Sequence, residues 1–429
     1  MDHSAPLTGV ADRCLWWSAL PPRAGVAGEL PPRADVAIVG GGYTGLSAAR
    51  ALARLGTDVV LLEREWLGWG ASGRNSGMVL PGYKADLLAM VRRLGQEQAR
   101  QLFADSLEAI AFVETLVRDE QIACDWSRSG HVTLAARPAH LRELVRHQRL
   151  LARDFGHATQ LLGPAELRSE LGSERYHGGL LDETAGALQP AAYLAGLAGA
   201  ARRAGARLVE GIEVRRLTTG RNGVTLRTTA GDLTAREVLI ATNGYTGTLT
   251  PWLARRLVPV GSFLVATVPL GVELALRLIP RGRMLSDTKR LLYYFRLSPD
   301  GRMVFGGRAA FVPTALARSL ELLRSGMIEV FPELASVPIE YGWGGRLGFT
   351  RDLLPHAGRH GGVSYAVGYG GHGVAYASWL GDRVGKALAG KEPWPAISDV
   401  SFPAVPLYAG RPWFLPIVGA WSRVLDGWS

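Results

Sequence analysis

Ala34-Asp-Val-Ala-Ile-Val-Gly-Gly-Gly-Tyr-Thr-Gly-Leu-Ser-Ala-Ala-Arg-Ala-Leu-Ala-Arg-Leu-Gly-Thr-Asp-Val-Val-Leu-Leu-Glu-Arg64 is the stretch that decides the fold. The apolar run Val36–Val39 reads as a buried parallel strand. Gly40, Gly42 and Gly45 then fill the positions of G-x-G-x-x-G, and Leu46, Ala49, Leu52, Ala53 and Leu55 recur at helical spacing. Gly56 ends that helix, and the second β run Val59–Leu62 ends at Glu63. Gly40 permits the tight turn, Gly42 lets backbone approach a pyrophosphate, and Gly45 lets helix pack on strand. The helix N-terminus offers free N–H groups and a positive dipole end. Glu63 stands where a carboxylate accepts hydrogen bonds from a ribose. Strand, glycines, helix, strand and acid occur in order, so the unit is expected to bind a dinucleotide.

Outward from this unit, residues 1–33 carry two Pro-Pro pairs and Trp16-Trp17, an irregular arm whose tryptophans are expected to pack on the body. The loop Trp66–Gly77 follows the acid and is dense in glycine. Its backbone amides suit a planar cofactor or phosphate, with Arg74 and Asn75 projecting polar groups toward it. Residues 85–122 have helical spacing, Cys124–Leu134 reads as a strand, and Arg137–Phe155 as a helix with Pro138 in its first turn. His131, His140, His147 and His157 show no shared metal-ligand spacing and are read as surface or ordinary hydrogen-bonding residues; no metal site is expected. Val238-Leu-Ile-Ala-Thr-Asn-Gly244 is a further buried strand, so the nucleotide unit resumes after an insertion. Residues 258–345 read as mostly β, interrupted by a helix at 314–331. Tyr293, Tyr294, Arg296 and Arg308 are the pocket candidates there. A second strand–turn–helix, Val363 to Leu388, contains Gly368-Tyr-Gly-Gly-His-Gly-Val374.

The chain has 429 residues and a net charge of +10, and four of its 48 basic residues are lysine. The arginines are scattered, which argues against a nucleic-acid face and leaves a solvated surface, acidic ligands or anionic lipid. Cys14 and Cys124 are the only cysteines. They exclude a disulfide framework and a cysteine-rich metal site. With no signal-peptide pattern and no apolar run of roughly 20 residues, a cytoplasmic location is expected.

Six motifs in order carry a resemblance: Val39–Gly45, Gly68–Asn75, Ala241-Thr-Asn-Gly-Tyr245, Leu292-Tyr-Tyr-Phe-Arg296, Phe305-Gly-Gly307 and Gly368–Val374. Over residues 34 to 392 the chain resembles the D-amino-acid/glycine oxidase (DAO) family of FAD-dependent amine oxidoreductases, in its γ-glutamylputrescine oxidase-like branch. The resemblance implies an α/β (α+β overall) architecture. In it a Rossmann-like FAD-binding domain of the glutathione-reductase type is interleaved with a mostly antiparallel β-sheet substrate domain. The expected division is an arm at 1–33, an FAD domain at 34–84, 160–255 and 346–395, a substrate domain at 85–159 and 256–345, and a tail at 396–429.

The resemblance also implies how FAD is held. Gly40, Gly42, Tyr43, Thr44 and Gly45 would surround the pyrophosphate, with Glu63 and Arg64 at the ribose and Val214 at the adenine. Gly70, Ala71, Ser72, Arg74, Asn75, Ser76 and Gly77 would face the flavin, as would Thr242, Asn243 and Gly244. Gly370, Gly371, His372, Gly373 and Val374 would complete the ring site, their amides near N1 and O2. Sarcosine oxidase relatives attach flavin to a cysteine in the C-terminal part. Nothing beyond Cys124 is a cysteine here, so FAD is expected to be non-covalent unless a histidine is used. Those relatives also place a lysine above the flavin, and Gly301–Gly307 has none, which keeps a dehydrogenase open beside an oxidase.

The implied reaction is oxidation of a C–N bond in a small amine or amino acid by hydride transfer to flavin N5, giving an imine that hydrolyses. Oxygen or another acceptor then reoxidises the flavin. His372, Arg346 and Tyr294 are the candidate catalytic residues. His372 either orders its loop or works as an acid–base group, and Arg346 or Arg351 clamps a substrate carboxylate. Arg351 is read first as an ion-pair partner of Asp352. Two alternatives stay open: a D-amino-acid or glycine/sarcosine-type dehydrogenase, and a non-catalytic flavoprotein docking on a partner or membrane surface through the Trp-rich tail Arg411–Ser429. Packing of that tail on its own domain is the favoured reading.

Overall fold

The computed structural model describes residues 7–21, 28–307, 316–419 and 421. Arg308 and the start of the helix expected from 314 lie outside them, as does the end of the tail at 422–429.

In chain order the elements that build the site are β1 (Arg33–Val39), α1 (Tyr43–Arg54), β2 (Val59–Leu62), β3 (His131–Leu134), α2 (Pro138–Phe155), β4 (Gly179–Asp182), β5 (Gly231–Ile240), β6 (Val258–Thr267), β7 (Tyr293–Leu297), β8 (Ile339–Phe349), β9 (Val363–Val367) and α3 (Gly373–Leu388). A first sheet runs β9, β5, β1, β2 and the short strand Arg207–Val209, all parallel, with His356–His360 antiparallel at the edge. Every residue of β2 is buried and β1 is buried over its last four, as a parallel strand covered on both faces requires. Helices α1 and α3 lie together on one face. Their close approach depends on Gly381, where a Cβ would come within 2.3 Å of the Thr44 carbonyl oxygen.

The second sheet is ordered β8, β6, Met303–Gly307, β7, Met284–Asp287, β3, β4, Gln160–Leu162. Among the described strands of this sheet only the pairing of β3 with Met284–Asp287 is parallel. One face, with Val132, Leu181, Val265, Phe295 and Phe305, packs under the helix Leu316–Val330. Alternation puts His131, Thr133, Leu180 and Asp182 on the opposite face.

The mixed α/β class is as expected, and three details differ. The strands at 160–162 and 179–182, grouped above with the FAD domain, hydrogen-bond into the second sheet through β3. The strand expected over 124–134 is only β3, because the preceding loop pairs with the chain through a single bridge, Ser127 to Ala187. Met284–Asp287 was not foreseen. The expected packing of the arm's tryptophans is seen at Trp16, which is 1% exposed, donates from Nε1 to the Asn75 carbonyl at 2.8 Å and meets Trp343 edge-on. No helix among the described residues is long and apolar enough to cross a membrane.

Candidate functional site

A cavity of about 450 Å³ opens at the C-terminal ends of β1, β2 and β5. Gly40, Gly42, Glu63, Arg64, Gly70, Ala71, Ser72, Val214, Thr242 and Asn243 line it, all expected from the sequence. Gly40 has φ +115°, and a Cβ there would lie 2.8 Å from the Ala241 carbonyl oxygen. A Cβ on Gly45 would lie 2.0 Å from the Gly40 carbonyl oxygen, so helix and turn pack without room for a methyl group. Gly42 caps α1 with no side-chain hydrogen bond, which leaves the helix N-terminus toward the cavity. The Glu63 carboxylate accepts from the Gly41 N–H at 2.7 Å and the Glu65 N–H at 3.0 Å. Burial pushes its carboxyl up, and those two N–H groups oppose the shift. A carboxylate has about four lone-pair sites, so acceptor capacity remains for ribose hydroxyls. The Tyr43 N–H at the helix start donates to Ser72 Oγ at 3.2 Å, and the glycine turn, the rest of the first helical turn and the acceptor carboxylate fit a dinucleotide.

Other expected residues support this cavity without lining it. Tyr43 is buried, its hydroxyl donating to the Pro190 carbonyl at 3.2 Å and accepting from Asn75 Nδ2 at 3.1 Å. Thr44 meets the Tyr369 hydroxyl at 2.6 Å, joining α1 to the second glycine turn. The projection expected of Arg74 and Asn75 is corrected. Asn75 Nδ2 also donates to the Ala71 and Ser72 carbonyls, and its Oδ1 accepts from the Gly77 N–H, so the amide orders its own loop. Arg74 reaches Asp12 of the arm at 2.7 Å and the Gly344 carbonyl. Ser76 and Gly77 continue the loop, and Gly77 accepts from the Leu188 N–H. A Cβ on Gly244 would fall 2.6 Å from the Arg346 carbonyl oxygen, so that turn abuts the edge of β8.

The second glycine turn lies beside the first. Asn243 Oδ1 accepts from the Gly368 N–H at 2.9 Å, and the Gly370 N–H donates to Gly348 at 3.0 Å. Gly368, Gly370 and Gly371 have φ of +92°, +56° and +99°, conformations a side chain would strain. His372 is the N-cap residue of α3, followed by Gly373 and the buried Val374. Leu347 of β8 is the side chain nearest Gly371.

The three candidate catalytic residues do not converge. His372 lines a second cavity of about 390 Å³ between α2 and the sheet face of β3 and β4. Arg346 is exposed and lines a third, outer cavity of about 710 Å³ with Phe263, Arg411 and Trp413, because strand alternation turns Leu347 rather than Arg346 toward the glycine turn. Tyr294 sits within the second sheet, its hydroxyl 2.9 Å from Ser262 Oγ. Arg351 is exposed, and Asp352 pairs instead with Arg93 at 2.5 Å and His356 at 3.1 Å.

Residues the sequence reading missed include Trp69, Ile212, Arg215 and Thr248–Thr250 at the first cavity. Only their nearness to Gly70, Val214 and Asn243 could have signalled them. The histidines are the larger correction. His131, His140, His147 and His157 all line the second cavity with His372. His140, Leu144, His147 and Leu151 share one face of α2, a spacing readable in the sequence. Among the described residues no group of three His, Cys, Asp or Glu is placed to hold a metal ion.

A family model described as FAD dependent oxidoreductase (DAO) matches residues 35–387. The chain belongs to this family. Like other members, this DAO protein is an FAD-dependent oxidoreductase, as the resemblance implied. It is 34% identical to the probable oxidoreductase OrdL of Haemophilus influenzae, over 89% of this chain and 90% of that one. It is also 34% identical to the γ-glutamylputrescine oxidoreductase of Escherichia coli K12, over 88% of each. The glycine oxidase structure from Geobacillus kaustophilus shares the fold, with a TM-score of 0.71 at 24% identity, covering 89% of this chain and 99% of that one.

Proposed function

We propose that this DAO protein oxidises the C–N bond of a small amine of the γ-glutamylputrescine type. The observation that carries the reading is the 34% identity to the Escherichia coli γ-glutamylputrescine oxidoreductase across 88% of both chains. The geometry around the glycine turns supports it. FAD, when bound, supplies the two-electron acceptor. Gly40, Gly42 and the N-terminus of α1 would hold its pyrophosphate, Glu63 its ribose and Val214 its adenine. The turn 368–373 gives its Gly368, Gly370 and His372 N–H groups to Asn243, Gly348 and Tyr369, and leads into the N-terminus of α3, whose helix dipole favours negative charge. His372, which lies between that turn and the second cavity, would take the proton of an incoming ammonium group. Loss of two electrons and two protons from carbon and nitrogen gives an imine, and water converts it to an aldehyde and ammonia.

An amine is favoured over an α-amino acid because the side chain of β8 nearest Gly371 is Leu347, while Arg346 faces the outer cavity. A carboxylate clamp of the bidentate kind is not supplied there. Non-covalent FAD is part of the proposal. Cys14 and Cys124 are buried, line none of the three cavities and have thiols pushed up by burial to about 11 and about 12. Acid precipitation should therefore release all yellow colour into the supernatant.

The reading is tested by incubating the holoenzyme in air with γ-glutamylputrescine, putrescine, glycine and D-alanine, and trapping aldehyde or keto acid. Aldehyde from the amines in preference to keto acid from the amino acids is expected. Keto acid alone would replace this reading with the amino-acid oxidoreductase alternative.

A further inference from the structure

The second cavity has a composition unlike the rest of the molecule. The chain carries 48 Lys and Arg against 38 Asp and Glu, yet no lysine or arginine lines this cavity among the described residues, and Asp86, Glu143 and Asp182 do. Apolar wall comes from Leu80, Phe103, Leu144, Leu151 and Leu180. The histidines contribute acceptors. Burial pushes His131 down to about 4 and also lowers His147, so both rings are neutral at pH 7. His131 is 7% exposed, and its only hydrogen bond among the described residues joins Nε2 to Ser286 Oγ, which leaves Nδ1 without a protein partner. His147 has no hydrogen bond to protein among the described residues, although it lies on the cavity face of α2. His157 Nε2 is 2.8 Å from Asp182 Oδ2, and Thr184 donates to the other oxygen, so that carboxylate is held ionised, below its usual range. Burial alone would raise it; the His157 and Thr184 hydrogen bonds outweigh that.

Unpartnered imidazole nitrogens, three carboxylates and an apolar wall are complementary to an alkyl chain ending in a cation. His372 places the cavity against the second glycine turn, so a molecule there has its other end near that turn.

We propose that this cavity binds the far end of the amine substrate, and that this end is an ammonium group on a methylene chain. The inference rests on the C–N oxidation reading above but parts from its γ-glutamyl element: the preferred substrate is a free diamine with a cationic tail, rather than a conjugate whose far end also carries a carboxylate. A carboxylate tail is disfavoured by Asp86, Glu143 and Asp182.

Three probes of equal chain length separate the cases: putrescine with an ammonium tail, n-butylamine with a methyl tail, and 4-aminobutanoate with a carboxylate tail. Calorimetric binding to the holoenzyme under nitrogen, with KM and kcat measured in parallel, should show putrescine bound about tenfold or more tighter than butylamine. 4-Aminobutanoate should be weaker than both. In Glu143→Gln and Asp182→Asn the ratio of putrescine to butylamine affinity should fall toward one, most in the half-buried Asp182 variant. Melting curves confirm that each variant is folded, and Glu143→Gln on the exposed side of α2 serves if Asp182→Asn is not. Equal affinity for putrescine and butylamine, tighter binding of 4-aminobutanoate, or a ratio unchanged in both variants overturns the proposal. If no amine reduces the flavin, the oxidation reading fails by itself, while the calorimetric ratio still decides the cavity.

Discussion

At the residue scale, Glu63 joins two demands. Its carboxylate stabilises the loop by accepting from Gly41 and Glu65, and it faces the cavity where a ribose would lie. A hydrogen bond to a charged group is worth about 1.5–3 kcal/mol. Glu63→Ala is therefore expected to weaken FAD binding to the apoprotein by about 10- to 100-fold, measured by fluorescence quenching on reconstitution. Affinity within about twofold of the wild type would remove Glu63 from the cofactor site. The positions of Gly40, Gly42, Gly45 and Glu63 were legible in the sequence because one strand–turn–helix fixes them locally. The roles of Arg74 and Asn75 were not. Their partners, Asp12 and Tyr43, come from other segments, and hydrogen-bonding side chains in a polar loop do not reveal whether they turn inward or outward.

At the element scale, the strand β8 passes to the first sheet through the turn 350–355, which Asp352 ties to Arg93 and His356. Burial works against the Asp352 charge, but the His356 and Arg93 hydrogen bonds outweigh it and hold the carboxyl at about 2. A carboxylate depressed in this way stabilises the fold above its unfolded pKa and loses that contribution as pH falls through the folded one. Asp352→Asn should cost about 2 kcal/mol at pH 7, and the difference from wild type should shrink as pH falls from about 4 toward about 2. Chemical denaturation at several pH values checks this, and a pH-independent difference would show that Asp352 acts through packing alone. Elements with strong periodicity, such as α2 and α3, were legible. Met284–Asp287 and the membership of 160–182 were not, because four-residue strands are defined by their partners across the sheet. The histidines are half legible: the spacing of His140 and His147 on α2 can be read, but only the fold brings them to His131 of β3 and to His157.

At the scale of the whole molecule, two sheets meet through the glycine turns, and the arm and tail close the outside. Tyr408 donates to the Leu257 carbonyl at 2.9 Å, and Tyr408 and Leu415 pack on Val258 and Val260, in line with a tail folded onto its own domain. Trp413, Ile417 and Trp421 remain exposed. Deleting residues 405–429 should uncover β6 and lower stability by about 3 kcal/mol or more. An unchanged melting temperature would mean that the tail contributes nothing to the folded body. The measurement that reaches the central claim most directly is an anaerobic titration of the yellow holoenzyme with putrescine and γ-glutamylputrescine, followed in the visible spectrum. Oxidation of a C–N bond predicts complete bleaching of the flavin band with one equivalent of amine. A spectrum unchanged by either amine at saturation would contradict it.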